Sequence, residues 1–312
     1  RIIPKIDIKA NSVVKGINLE GLRALGDPSI FAKKYYEDGA DEIIYHDVVA
    51  SLYDQSTIFE LISNMAEKIF VPLTVSGGIR SIDDIKKILS LGADKVAINS
   101  QAIKDKNFIK SSAQVFGSST IVVSIETMQV DRDYYVFYEY GRINSGIKIL
   151  DWIEDIQSKG AGEILLTSIS NEGTGQGFDI NLLDLVKNKI KVPFLFNGGC
   201  SKAKDIYNID DIKYIDGFVI SSLFHYDLIK KKSPGEYNEI RHETEVSESV
   251  NNKTAEKDFK TMVNETIWGP SILDAEKQSI MNSIYSNCLE LLDKMSTDIF
   301  HMNLTDKSSS HH

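Results

Sequence analysis

The chain has 312 residues, 42% of them hydrophobic and 26% charged, enough apolar surface for a large core that depends on neither disulfides nor metals. Its 35 basic and 45 acidic residues leave a net charge of −10, which argues against a nucleic-acid or anionic-membrane partner. Two cysteines, Cys200 and Cys288, exclude a disulfide framework or a cysteine-rich zinc site, and no apolar run approaches the roughly 18 residues of a membrane span.

Short β-branched runs alternate with helical patterns from the first residue. Residues 2–8 read as a strand, and 27–38 as a helix in which Asp27 caps and Pro28 opens the first turn. There follow a strand over 42–47, a helix over 57–68, a strand over 72–75, a helix over 82–91 and a strand over 95–99. Strands and helices alternating at this spacing imply βα units and a parallel sheet.

The next stretch repeats the first. Gly39-Ala40-Asp41-Glu42-Ile43 returns 121 residues later as Gly160-Ala161-Gly162-Glu163-Ile164, and the same offset links Val71-Pro72 to Val192-Pro193 and Gly77-Gly78 to Gly198-Gly199. Ile98-Asn99-Ser100 pairs with Ile220-Ser221-Ser222, and Ile6-Asp7 with Ile125-Glu126. Four βα units per half give eight, the number that closes a (β/α)₈ TIM barrel; a doubly wound open sheet is the alternative, but it does not predict two equivalent halves.

In such a barrel the chemistry lies at the C-terminal strand ends. Asp7 ends strand 1 and Glu126 ends strand 5, diametrically opposite, so two carboxylates face each other as a candidate acid/base pair. The glycine turns at Gly77-Gly78 and Gly198-Gly199, beside Asn99-Ser100 and Ser221-Ser222, offer backbone amides to phosphates on two sides of the mouth. Residues 173–177, with three glycines, can add amides to the second of these sites. The duplication suggests a small phosphorylated substrate with a phosphate at each end. Arg1, Glu42, Lys95 and Glu163 begin strands at the other pole; from the residues alone, solvent-exposed ion pairs are the plainer reading, a neutral charged ring the other.

These features together resemble HisF, the cyclase subunit of imidazole glycerol phosphate synthase. The likeness is carried by residues 1–4 with Asp7, by 13–16, 22–28 and Gly77-Gly78-Ile79, and by 92–99 and 160–168; it extends from Arg1 to about Tyr226. It implies a cytoplasmic, ammonia-dependent lyase of histidine biosynthesis, working with a HisH-like glutaminase on the N-terminal face of the barrel and needing neither metal nor cofactor. It further implies that Asp7 and Glu126 are catalytic and that Lys15 lies on a flexible loop closing over the substrate. Gly78, Asn99 and Ser100 would bind one phosphate, and Gly173, Thr174, Gly199, Ser221 and Ser222 the other. Arg1, Glu42, Lys95 and Glu163 match all four members of the family's charged ammonia gate, which reverses the plainer reading of the floor.

Departures cluster at the mouth. Glu126 stands where the family has aspartate, Lys5 where it has cysteine, Ser170 where it has an acid, Glu172 where it has aspartate and Asn197 where it has serine. Such changes fit two alternatives: a paralogue supplying ammonia for amidination of a surface-polysaccharide sugar, or a silent ammonia conduit.

The acidity is concentrated at the end. Up to Lys232 there are 28 basic and 31 acidic residues; from Ser233 onward there are 7 and 14. The expected organisation is therefore a barrel over 1–230 and, over 231–312, an acidic linker with an amphipathic helix. Ile280, Ile284, Cys288, Leu291/Leu292, Met295 and Ile299 form one apolar stripe within 271–300, expected to pack on the barrel itself or else to dock a partner or a second copy.

Overall fold

A computed structural model describes residues 1–49, 56–207, 209 and 212–230. The expected linker and amphipathic helix, with Cys288, lie outside the described residues. The chain runs β1 (Ile2–Lys9), an antiparallel hairpin of β2 (Ser12–Ile17) and β3 (Glu20–Gly26), then α1 (Pro28–Glu37), β4 (Ile43–Asp47), α2 (Ser56–Ala66), β5 (Leu73–Ser76), α3 (Ile82–Ser90) and β6 (Lys95–Ile98). After α4 (Ser100–Lys104) and α5 (Phe108–Phe116) the plan repeats: β7 (Ile121–Val130), a second hairpin of β8 (Asp133–Tyr138) and β9 (Ile143–Lys148), α6 (Ile149–Ser158), β10 (Glu163–Ser168) and α7 (Ile180–Val186). It ends with β11 (Phe194–Asn197), α8 (Ala203–Tyr207), β12 (Gly217–Ile220) and α9 (Ser222–Lys230).

Eight strands pair in parallel in the order β1-β4-β5-β6-β7-β10-β11-β12, and β12 returns to β1 through Ile2–Phe218, Ile3–Val219 and Pro4–Ile220. That closure makes the sheet a (β/α)₈ barrel and excludes the open doubly wound alternative. The two hairpins are a finding beyond the expected βα units. Each follows the first strand of its half, so β2–β3 and β8–β9 are themselves part of the duplication.

Strand alternation builds two cores. Ile2, Ile6 and Ile8 of β1 face the helices and join the large outer core, while Ile3 points inward. Inside, Ile3, Ile44, Ala97, Val122, Leu165, Leu195 and Val219 form an apolar ring across the lumen. Helix starts follow local chemistry: the Asp27 carboxylate accepts from Ser29 N–H ahead of Pro28, and Ser81 with Asp84 forms a reciprocal capping box at α3.

Candidate active site

The lumen changes character with height. At its floor, Glu42 and Glu163 are 1% and 4% exposed and each carboxylate bridges the same two cations. Arg1 reaches Glu42 at 3.0 Å and Glu163 at 2.5 Å; Lys95 reaches them at 3.1 and 2.8 Å. Thr74 Oγ1 donates a further bond to Glu42 at 2.7 Å. The four expected residues are thus one closed, alternating ring. Burial of both carboxylates overturns the reading of this cluster as solvent-exposed ion pairs.

Above the apolar ring the inward positions become polar, and Asp7 is reached at the end of β1. It is fully buried and met by three donors: Lys5 Nζ at 2.9 Å and His46 Nδ1 at 3.2 Å on Oδ1, and Lys15 Nζ at 3.2 Å on Oδ2. Burial alone would raise its pKa, but the ammonium groups of Lys5 and Lys15, with His46, more than reverse this and hold Asp7 well below the usual carboxylate range. Glu126, at the matching end of the barrel section of β7, is buried too, but among the described residues its hydrogen-bond donor is Gly141 N–H alone, at 2.7 Å. Burial raises its pKa, reinforced by Asp7 and only partly offset by His46, Lys5 and the Gly141 bond. Two equivalent repeat positions therefore carry carboxyl groups shifted in opposite directions.

The hairpins cover this pair. Lys15, expected on a loop after the first strand, instead lies on β2, where it is buried and pairs with Glu172 as well as Asp7. Asn18 N–H donates to Glu172 O at 2.7 Å, so β2–β3 reaches the opposite wall. Gly173 lets the two backbones meet: its φ is +78°, and a Cβ there would lie 2.3 Å from Gly16 O. The turn between β8 and β9 comes down from the other side. Tyr140, buried with its phenol pKa pushed well up by burial and then by Asp7, Glu172 and Glu126, lies 5.5 Å from the His46 ring. Val14, Leu19, Val48, Phe137, Tyr140 and Ile169 form a small apolar cluster joining both hairpins to the rim.

The two expected phosphate sites differ. Gly173, Gly199, Ser221 and Ser222 line one recess with Glu172, Gly175 and Asn197, and the buried hydroxyls of Ser221 and Ser222 have no hydrogen-bond partner among the described residues. Gly199 is required there: at φ +100° a Cβ would lie 1.9 Å from Gly177 O, whose own N–H donates to Gly199 O. Thr174 is not on that wall; its hydroxyl donates to Asn171 O within the loop. On the other side, Gly78, Asn99 and Ser100 sit at the ends of β5 and β6. Asn99 Oδ1 is buried without a partner, while Ser100 Oγ accepts from Glu139 N–H of the β8–β9 turn.

The chain is similar over residues 1–230 to the family of histidine biosynthesis proteins. It is 42% identical to the imidazole glycerol phosphate synthase subunit HisF of Sulfolobus acidocaldarius, over 74% of this chain and 92% of that protein. It is 45% identical to HisF of Lactococcus lactis subsp. lactis, over 72% and 88%, and 39% identical to HisF of Natranaerobius thermophilus, over 76% and 94%. The chain belongs to the HisF family.

Within this HisF chain, His46 and Tyr140 are site residues that sequence reasoning passed over, and for His46 a signal was present. That signal was a polar Tyr45-His46-Asp47 ending at a strand terminus, where barrel chemistry concentrates. Lys5 and Glu172 were visible as departures, but spacing alone did not bring them to Asp7. No helix among the described residues is long and apolar enough to cross a membrane.

Proposed function

We propose that this chain is the ammonia-using cyclase subunit of an imidazole glycerol phosphate synthase, with Asp7 and Glu126 as its acid/base pair. The observation that carries the reading is the pair itself: two opposed buried carboxyl groups whose pKa values are shifted in opposite directions, Asp7 downward and Glu126 upward, set between two glycine-turn recesses. Asp7 takes the proton that ammonia loses as it adds to the substrate, and Glu126 gives one to the departing group; the roles reverse as the ring closes. Ser221, Ser222 and the Gly173 and Gly199 turns hold one phosphate of a doubly phosphorylated substrate. Gly78, Asn99 and Ser100 hold the other, once the Glu139 turn releases Ser100.

Ammonia arrives from a glutaminase subunit on the floor, passes the Arg1-Glu42-Lys95-Glu163 ring and crosses the apolar lumen. Neutral ammonia crosses such a ring of side chains far more readily than ammonium, which would have to shed its hydration. Lys5 and Glu126 at the mouth favour a second reading, the same delivery to a different acceptor such as a polysaccharide sugar. The test is incubation of the chain with an ammonium salt and the doubly phosphorylated intermediate of histidine biosynthesis, following substrate loss and imidazole product. Turnover lost by at least about 10²-fold in Asp7→Asn is expected. A folded wild-type chain that consumes none of the substrate would sink the cyclase reading, and full activity in Asp7→Asn would sink the assignment of Asp7.

A further inference from the structure

Lys5 has no part in the reaction as written, yet its side chain is buried beside Asp7. It stands two residues before Asp7 on β1, so it shares the inward face with Ile3 and Asp7. Its ammonium is buried above the apolar ring, 2.9 Å from Asp7 Oδ1. A buried ion pair has no general stability advantage over apolar side chains of similar volume. Asp7, moreover, already has a second ammonium in Lys15 and a ring nitrogen in His46.

The two lysines differ in what carries them. Lys15 belongs to the β2–β3 hairpin, and its pairing with Asp7 and Glu172 is part of the contact that draws the hairpin across the mouth. Asp7 has no exposed surface in this closed arrangement, so a substrate reaches it only when the cover lifts, and Lys15 moves with the hairpin. Lys5 sits on a barrel strand held on both sides, by β4 and by β12, and has no such freedom.

We propose that Lys5 is the permanent counter-ion of Asp7, a positioning residue that keeps this carboxylate ionised and aimed whether the β2–β3 hairpin is closed or lifted. The charges around Asp7 fit this division. With the hairpin down, two ammonium groups face the carboxylates of Asp7 and Glu172, and among the described residues Glu126 has no ion-pair partner. With Lys15 withdrawn, Lys5 is the ammonium left on Asp7 among the described residues, beside the hydrogen bond from His46 Nδ1 on the neighbouring strand β4. The other neighbours add no cation: Tyr140 is a phenol held neutral by burial, and His225 behind the strand is buried with a pKa pushed down to about 3. The direction of the Asp7 shift, in which Lys5 is the leading opponent of burial, agrees.

The proposal rests on Asp7 as the base, and its test is separable from that reading. The full-length chain, labelled with 13C at aspartate carboxyl carbons, is titrated by NMR as wild type, Lys15→Met, Lys5→Met and the double variant, with Lys5→Cys as a second replacement should Lys5→Met fold poorly. Asp7 is expected to titrate below the ordinary range in wild type and Lys15→Met. It should rise by about one pH unit or more when Lys5 is removed in the Lys15→Met background, while Lys5→Arg stays low. In turnover assays the acid limb of kcat/KM should move upward with the NMR midpoint. An Asp7 midpoint unchanged by loss of Lys5, or raised fully by Lys15→Met alone, overturns the proposal. Were the wild type to show no cyclase turnover, the proposed reaction would fall and the NMR titration would still decide Lys5.

Discussion

Asp7 and Glu126 stand at equivalent points of two half-barrels, and their difference arises from neighbours. Asp7 collects two lysines and a histidine, whereas Glu126 collects one backbone N–H. Because Glu126 is shifted upward, its acid form persists above the ordinary carboxylate range. At a fixed concentration of free ammonia, activity should therefore fall as pH climbs through this raised pKa, and Glu126→Gln should remove both that limb and most of the turnover. Glu126→Asp keeps the acid but withdraws it by a methylene. A displacement of about 1 Å costs roughly 10²-fold in a positioned step, so kcat should drop by about that factor with KM little changed, as steady-state kinetics would show. An unaltered rate in Glu126→Asp would mean that the carboxyl is not aimed at the reacting atoms. The identity of both carboxyls was legible from the repeat, but the opposite direction of their pKa shifts was not.

At the scale of elements, the hairpins act as covers and α9 as a pH-sensitive support. Lys15→Met leaves Glu172 without its partner in a buried place, so the β2–β3 hairpin should open more often. Amides of residues 12–26 should then exchange hydrogen faster while those of the barrel strands keep their protection; unchanged exchange would show that the apolar cluster alone holds the cover. On α9, His225 is wholly buried, bonded through Nδ1 to the Tyr35 hydroxyl at 2.6 Å and packed on Phe31. Burial, then the Lys15 and Lys5 charges, pushes its pKa from 6.5 down to about 3. The folded state thus stays neutral where the unfolded state takes up a proton. Its contribution to stability is complete above about pH 6.5 and is lost as pH falls toward 3, by about 1.4 kcal/mol per pH unit within that window. Urea unfolding at pH 7 and pH 5 should show this loss in wild type, and a smaller one in His225→Gln. The helices and barrel strands were readable from periodicity. The hairpins were not, because the β2–β3 pairing carries register shifts and its place over the mouth depends on contacts of Lys15 and Asn18 with the distant Glu172.

Across the whole molecule, the floor and the mouth are coupled by one lumen. Breaking a buried pair by removing one partner costs about 3–5 kcal/mol, whereas replacing such pairs with apolar groups is often neutral. Glu42→Ala, which leaves Arg1 and Lys95 with Glu163 alone and the Thr74 hydroxyl without its acceptor, should therefore destabilise the barrel in chemical denaturation by less than the loss of an isolated buried pair. A conservative Glu42→Gln should impair glutamine-driven turnover with a glutaminase subunit more than turnover supported by added ammonium salt; equal losses would argue against a gate. The sequence by itself determined the eightfold architecture, because a duplicated register of strand ends and glycine turns is a local pattern repeated along the chain. It also placed the carboxylates, the glycine turns and the floor quartet at the ends of their strands where the structure has them, because position along a strand sets the end a residue occupies while the period of two sets its face. Only the tertiary structure decided that the floor ions are a buried ring, that Lys15 rides on a hairpin across the mouth, and that the pKa values of Asp7 and Glu126 are shifted in opposite directions. Burial and through-space distance set those properties, and both depend on residues up to 165 positions apart in the chain, as Asp7 and Glu172 are.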